Sequence, residues 1–177
     1  ITTASWSIQQ FVDRMFLSWY SAEAIAAVVP AGMLNFTIMS IFMGTCSYTT
    51  TFVAQYHGAG NNHRAGRAVW QGIYFSIAGA FVLLLFVPFS GPIFQLVGHD
   101  ASIMEYESEY FSILCAGSWG PLASSAIAGF FSGRGVTWPV LWVNFTGMII
   151  NIIFDYLLIF GNLGLPALGV RGAAIAT

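Results

Sequence analysis

The sequence predicts an all-α fold, a polytopic membrane helix bundle, and two observations support this prediction. Of the 177 residues, 57% are hydrophobic and 7% are charged, whereas an ordinary soluble domain has about 25% charged residues. Long apolar runs recur along the chain, and short segments rich in glycine, proline or arginine separate them. The mean hydropathy of +0.75 agrees. We therefore expect an integral, multi-pass membrane protein.

The few charged residues exclude a nucleic-acid partner and indicate an orientation. The net charge is −2 and all five cations are arginines, so the chain lacks the basic surface that nucleic-acid binding requires. Arg64, Arg67 and Arg134 follow the second and fourth predicted spans, whereas only Arg171 follows the first, third or fifth. By the positive-inside rule the loops after the second and fourth spans are cytoplasmic.

We expect five helical spans and the start of a sixth. The predicted helices cover residues 1–20, 31–56, 68–87, 106–130, 138–160 and 170–177. The first ends at Trp19 and Tyr20, an aromatic pair typical of a membrane interface. After a linker at residues 21–29, Pro30 opens the second, in which Gly32 and Gly44 would allow close helix approach.

The connecting segments are predicted as turns. Residues 57–67 form a glycine-rich loop whose His57 and His63 have no carboxylate or cysteine beside them, so we expect a solvated loop rather than a metal site. Pro88 and Pro92 break the third helix. An acidic segment then opens the fourth helix, which is interrupted at residues 117–121. The segment's three glutamates, Glu105, Glu107 and Glu109, cannot share one helical face and are predicted to be solvated.

The fifth helix, residues 138–160, carries a polar stripe. At about 1.5 Å per residue its 23 residues reach roughly 35 Å, enough to cross a hydrocarbon core about 30 Å thick. Asn144, Asn151 and Asp155 recur at helical spacing, and an ionisable residue inside a span usually faces the bundle interior. A carboxylate one turn from an amide oxygen can hold either a hard cation such as Na⁺ or a proton.

Asp13 in the first helix is the other acid inside a span. Gln9 lies one turn before it, and Arg14 follows it. If the first and fifth helices are neighbours, Asp13 and Asp155 would titrate as a coupled pair. One cation or one proton could then relieve the repulsion between their carboxylates. Two plainer readings stay open: each aspartate only hydrogen-bonds to a neighbouring helix, or Asp13 and Arg14 lie near the helix end with the arginine reaching outward.

The remaining features predict no catalytic chemistry. Cys46 and Cys115 lie singly in apolar runs and are interpreted as inert buried thiols. No nucleophile with a base, histidine-rich cluster or phosphate loop occurs, so we expect neither an enzyme nor a cofactor. Because the chain begins at Ile1 and stops at Thr177 within an apolar pattern, we interpret it as part of a longer protein.

Four segments together resemble the multidrug and toxic compound extrusion (MATE) family of secondary transporters. They are FVDRMFLSWYSAEAIAAV, FVAQYHGAGNNHRAGRA, AGFFSGRGVTWPV and NIIFDYLLIFGNLGLPALGVRGAAIAT. The resemblance implies twelve helices in two six-helix lobes that work by alternating access, with residues 1–177 forming most of the amino-terminal lobe. The partners implied are small organic substrates, membrane lipid and a carboxy-terminal lobe.

The resemblance also implies a cation or proton coupling site at Asp13, Asn151 and Asp155, with Thr177 as a further member. Other polar residues that could line a cavity are Gln9, Asn35 and Asn144. Arg14 departs from the family pattern, in which a small or hydroxyl-bearing residue is frequent at that position. This departure leaves the coupling ion open.

The implied function is efflux of amphipathic, often cationic organic compounds in exchange for Na⁺ or H⁺, in the inner (plasma) membrane of a bacterium. The sequence leaves two alternatives. One is a lipid-linked saccharide flippase of related architecture, which would require a basic cavity to which only Arg14 could contribute. The other is a non-transporting membrane assembly or sensor subunit.

Overall fold

The computed structural model describes residues 2–162, 164 and 166–177, without the side chains of residues 2–4 and 97. Every regular element in these residues is helical. The α-helices are α1 (Thr2–Tyr20), α2 (Ala22–Ser47), α3 (Thr49–Gly58), α4 (Asn62–Phe86), α5 (Ser90–Val97), α6 (Ala101–Gly117), α7 (Trp119–Gly133), α8 (Trp138–Phe160) and α9 (Val170–Ala176), with a 3₁₀ turn at Val87–Phe89. Residues 1, 163 and 165 lie outside the described part of the chain, so the prediction that the first helix includes residue 1 lies outside it too.

Four helical stretches in the described residues are long and apolar enough to cross a membrane. They are Ala22–Gly58, Asn62–Leu96, Ala101–Gly133 and Trp138–Phe160. The prediction of an all-α membrane bundle is confirmed. The first expected span, α1, has 19 residues, long enough at about 1.5 Å per residue, but its polar residues keep it out of this apolar set.

The second helix begins earlier than predicted. We expected residues 21–29 to be a linker and Pro30 to open the helix, but α2 starts at Ala22 and Pro30 lies inside it. The Ser21 hydroxyl accepts a hydrogen bond from the Ala24 backbone N–H at 2.9 Å, as an N-cap residue does. The alanine-rich run after Ser21 favours helix, and membrane helices tolerate an internal proline.

The turns are also shorter than predicted. Only residues 59–61 of the expected loop at 57–67 are non-helical, because the Asn61 side chain accepts a hydrogen bond from the Arg64 N–H at 3.2 Å and caps α4. Likewise α6 begins at Ala101 rather than 106. The break at Pro88 is confirmed as a 3₁₀ turn, and Pro92 lies in the first turn of α5, where proline is tolerated.

One glutamate of the acidic segment is not solvated. Glu107 is fully buried, and its Oε1 contacts His99 Nδ1 at 2.7 Å. The prediction of a solvated side chain is wrong for this residue, because its partner His99 comes from the segment before α6 and not from the other two glutamates. Glu105 is exposed and Glu109 half-buried. Cys46 and Cys115 are buried free thiols, as interpreted.

The chain forms two compact units, residues 1–35, 86–115 and 143–177, and residues 36–85 and 116–142. In the second unit α3 packs closely on α7, because a Cβ on Gly129 or Gly133 would lie 2.9 or 2.6 Å from backbone atoms of Thr50. The expectation for Gly32 and Gly44 is wrong: a Cβ on Gly32 would reach only Tyr110 at 3.9 Å, and one on Gly44 would contact nothing within 4 Å.

Candidate functional site

The first unit places Asp13 on the buried face of α1. Ser5, Asp13 and Leu17, which lie on one face of the helix, are each at most 9% exposed, and Asp13 itself is 3% exposed. Gln9, on the same face, is half-buried. Asp13 Oδ1 has no hydrogen-bond partner within the described residues. A buried carboxylate oxygen of this kind requires a cation, a proton or another donor to offset its desolvation.

Helix α8 contributes Asn151 and Asp155. Its buried residues are Asn151, Asp155 and Ile159, one per turn, so a narrow stripe of an otherwise apolar helix faces the unit's interior. Asp155 is 0% exposed, and neither of its carboxylate oxygens, nor Asn151 Oδ1, has a hydrogen-bond partner in the part of the chain that the structure describes. The acceptor oxygens of Asn151 and Asp155 are thus buried and without partners in the described residues, as is Oδ1 of Asp13.

Helix α9 closes the site from one side. The Asn151 side-chain amide donates a hydrogen bond to the Ala176 carbonyl at 2.9 Å. A Cβ on Gly172 would lie 2.6 Å from the carbonyl oxygen of Leu158, so the two helices touch backbone to backbone. The Thr177 hydroxyl donates to the Ala173 carbonyl at 2.9 Å, and Thr177 is exposed.

Sequence reasoning missed Tyr110. Its side chain is 3% exposed, forms a side-chain hydrogen bond with Thr177, and interacts electrostatically with both Asp13 and Asp155. The sequence predicts its segment to be a solvated helix entry. The signal that could have found it is the helical spacing of Tyr110 with Phe111 and Cys115, which together form a buried face of α6.

The four elements bring two carboxylates within electrostatic range. The charges of Asp13 and Asp155 interact, and the Asn151 amide and the Tyr110 and Thr177 hydroxyls belong to the same unit. Oxygen donors of this kind suit a hard cation, and two buried like charges equally suit a single shared proton. The donor set fits either ion.

Other predicted residues lie outside this cluster. Arg14 is exposed, on a different side of α1 from buried Asp13, as the offset of about 100° between successive helical residues allows. The buried Asn35 amide donates to Cys115 Sγ at 3.5 Å. Asn144 is exposed, although we predicted an inward stripe for it together with Asn151 and Asp155.

The fold and this cluster define the chain's class: an all-α, multi-pass integral membrane protein with a buried pair of carboxylates inside one helical unit. The sequence model of the MatE family matches residues 1–157. The chain belongs to this family.

Relatives in the family carry names related to drug resistance. The chain is 27% identical over 93% of its length to a "Probable multidrug resistance protein NorM" of Thermotoga maritima. It is 28% identical over 100% of its length to one of Oceanobacillus iheyensis. It spans 36% and 40% of the lengths of those two proteins.

Solved structures share the fold. A structure described as "Crystal structure of MATE in complex with MaD3S" matches with a TM-score of 0.89 and 22% identity, over 99% of this chain and 39% of the other. An "Inward-facing conformation of a multidrug resistance MATE family transporter of the MOP superfamily" matches with a TM-score of 0.86 and 23% identity, over 100% of this chain and 39% of the other.

Proposed function

We propose that this chain forms the ion-coupling lobe of a secondary active efflux antiporter. The transporter would export amphipathic, often cationic organic compounds in exchange for Na⁺ or H⁺. The observation that carries the proposal is the buried pair Asp13 and Asp155. Oδ1 of Asp13 and both carboxylate oxygens of Asp155 lack hydrogen-bond partners in the described residues, and the two charges interact. Two buried carboxylates are costly inside a membrane helix bundle, and a bound ion would offset that cost.

The family supports the rest of the proposal. The relatives named for multidrug resistance are bacterial, and they are more than twice as long as this chain, which spans 36% to 40% of them. A second lobe and surrounding lipid are therefore the proposed partners, and a bacterial inner membrane the proposed location. In this scheme the protein is a transporter and not an enzyme, and the coupling ion takes the place of a cofactor.

The geometry offers a physical route from ion binding to movement. A cation or proton between Asp13 and Asp155 removes the repulsion between two buried charges and so favours close packing of α1 on α8. Asn151 connects that event to α9, because its amide donates to the Ala176 carbonyl while its own oxygen remains free for an ion. Occupancy would thereby shift the balance between two helix packings.

The test is gradient-driven drug efflux by the full-length protein with Asp13→Asn or Asp155→Asn. Each variant keeps the side-chain shape and removes one negative charge, so we expect coupled efflux to fall at least about tenfold, as an ionic interaction worth about 1.4 kcal/mol or more implies. Asp100→Asn, an exposed acid before α6, is the matched control.

Measurements under a Na⁺ gradient alone and under a proton gradient alone identify the ion. If both aspartate variants export like the parent under each gradient, the coupling assignment is wrong.

A further inference from the structure

The charged residues divide unevenly between the two compact units. All seven carboxylates lie in the first unit, whereas the second, residues 36–85 and 116–142, contains no aspartate or glutamate. The second unit instead carries Arg64, Arg67 and Arg134, together with His57 and His63. Its arginines therefore have no carboxylate to pair with inside the unit, and neither of the ion pairs found among the described residues includes them.

Three helices of the second unit meet at one level. A Cβ on Gly72 of α4 would lie 2.6 Å from the hydroxyl oxygen of Thr49 in α3 and 2.9 Å from the Cβ of Ala126 in α7. Contacts this short mean that α4 packs closely against both α3 and α7 at this point. The meeting point therefore serves as a common reference for positions along the three helices.

The directions of these helices follow from their contacts. Gly129 of α7 approaches Thr50 of α3, and Gly133, one turn further along α7, approaches both Thr50 and Val53. Helices α3 and α7 thus run in the same direction. Helix α4 runs in the opposite direction, because only residues 59–61 join it to α3, as in a helical hairpin. The carboxy-terminal ends of α3 and α7 and the start of α4 therefore lie at the same end of the unit.

Three basic side chains lie at one level at this end. His57 on α3, Arg64 on α4 and Arg134 after α7 are each eight residues from the meeting point, which is about 12 Å at the helical rise. All three are exposed. The Arg134 guanidinium lies over the Phe130 ring, 4.9 Å from its centroid. The end of the unit thus presents a cluster of cations on three neighbouring helices, with Arg67 one turn along α4 from Arg64.

Aromatic side chains indicate the depth of this cluster in the membrane. Trp70 and Tyr74 follow Arg67 at helical spacing, are 59% and 64% exposed, and have ring centroids 6.0 Å apart. Trp138, one turn after Arg134, is 65% exposed. Exposed tryptophan and tyrosine are typical of the membrane–water interface, so the arginines before them lie at the level of lipid head groups.

We propose that this basic end, formed by His57, Arg64, Arg67 and Arg134, binds the head group of an anionic phospholipid. Guanidinium groups contact two phosphate oxygens at once through parallel N–H donors, and the exposed tryptophans pack against the lipid below its phosphate. These are the loops that the arginine distribution predicts to be cytoplasmic, and the cytoplasmic leaflet carries anionic lipid. No carboxylate of the unit repels the phosphate or competes for the arginines. The inference does not depend on the proposed coupling site, which lies in the first unit.

The experiment measures lipid binding to the purified full-length protein in a neutral detergent. Native mass spectrometry follows the lipid retained by the folded protein as phosphatidylglycerol, or phosphatidylcholine with the same acyl chains, is titrated. Thermal stability is measured in parallel, and inorganic phosphate is titrated separately as the free anion. The variants are Arg64→Gln, Arg134→Gln and the two combined. The matched control is Arg14→Gln, which removes an exposed arginine of the first unit.

We expect the parent to prefer phosphatidylglycerol at least about tenfold over phosphatidylcholine. Arg64→Gln and Arg134→Gln should each weaken phosphatidylglycerol binding about fivefold, in line with the contribution of one basic residue beside anionic lipid. The double variant should lose about as much as the two single changes multiplied. Arg14→Gln should bind like the parent, and phosphatidylcholine binding should stay constant throughout.

Three results would overturn the inference. The parent would bind both lipids alike if the arginines pair with acids elsewhere in the full-length protein. Arg14→Gln would weaken binding as much as Arg134→Gln if the attraction were only a diffuse effect of net charge. Inorganic phosphate would stabilise the protein as strongly as phosphatidylglycerol at the same concentration if the site held a free anion.

Discussion

Gly172→Ala should separate α9 from α8 and weaken binding of the proposed coupling ion without changing any of its proposed ligands. A Cβ at this position would lie 2.6 Å from both the carbonyl carbon and the carbonyl oxygen of Leu158 and 2.9 Å from the Ile159 nitrogen. Carbon atoms in contact need about 3.5 Å or more. Because backbone atoms on α8 cannot rotate aside, α9 must move away by roughly 1 Å.

That displacement has a calculable effect on the site. The bond from the Asn151 amide to the Ala176 carbonyl is 2.9 Å long, and an added displacement of roughly 1 Å would take it beyond hydrogen-bonding range. Overpacking of this kind costs about 1 to 3 kcal/mol, and loss of the bond adds about 1 kcal/mol. If half of that sum falls on the ion-bound state, the half-saturating ion concentration rises about fivefold to thirtyfold.

The assay is ion-dependent thermal stabilisation of the purified full-length protein, titrated with Na⁺ at fixed pH and with pH in the absence of Na⁺. Gly147→Ala is the matched control, because it lies on α8 and its Cβ would contact nothing within 4 Å. We expect the control to titrate like the parent. A Gly172→Ala variant with parental stability and an unchanged titration midpoint would show that α9 does not hold the site together.

Three further predictions follow from single contacts. Tyr110→Phe removes the hydroxyl that bonds to Thr177. It should lower the free energy of unfolding by about 1 kcal/mol and weaken the thermal stabilisation of the protein by ions. The control Tyr106→Phe should do neither, and equal behaviour of the two variants would exclude Tyr110 from the site. His99→Ala leaves the fully buried Glu107 without its 2.7 Å partner. It should lower the free energy of unfolding by about 1 to 3 kcal/mol, measured by thermal unfolding, whereas the control His63→Ala should not. Adding Glu107→Gln to His99→Ala should recover part of the loss. Gly133→Ala places a Cβ 2.6 Å from the Thr50 carbonyl oxygen and should destabilise the second unit by about 1 to 3 kcal/mol, while Gly117→Ala, with open space around it, should not; equal melting temperatures would contradict the close packing of α3 and α7.

The membrane fold could be predicted from the sequence because it depends on composition along the chain. Helix α8, Trp138–Phe160, is a long apolar run bounded by turn residues, and such a run has few alternative structures in lipid. Helix starts were harder to place, because they depend on capping side chains such as Ser21 and Asn61. With Ser21 as its cap, α2 includes most of the predicted linker, and with Asn61 as its cap, α4 includes part of the predicted loop.

The site could be predicted only as far as its charges. Asp13 and Asp155 stand out in the sequence because carboxylates are rare in membrane spans. Tyr110 did not stand out, since a tyrosine in a membrane protein is ordinary and its burial depends on how α6 packs within its unit. The exposure of Arg14 could not be predicted either, because the sequence does not show which side of α1 is buried; its charge still interacts with that of the neighbouring Asp13.

This division of α1 into two faces bears on how an antiporter of this kind could work. Asp13 is buried within its unit and Arg14 is exposed on another side of α1, so one helix would carry a proposed coupling carboxylate on one side and an exposed cation on another. A rotation or bend of α1 that repacks Asp13 on ion binding would necessarily move the exposed side of the helix, which carries Trp6, Phe11 and Arg14. Exchange of ion for substrate would then require no separate coupling element, because a ligand on either face biases the position of the same helix.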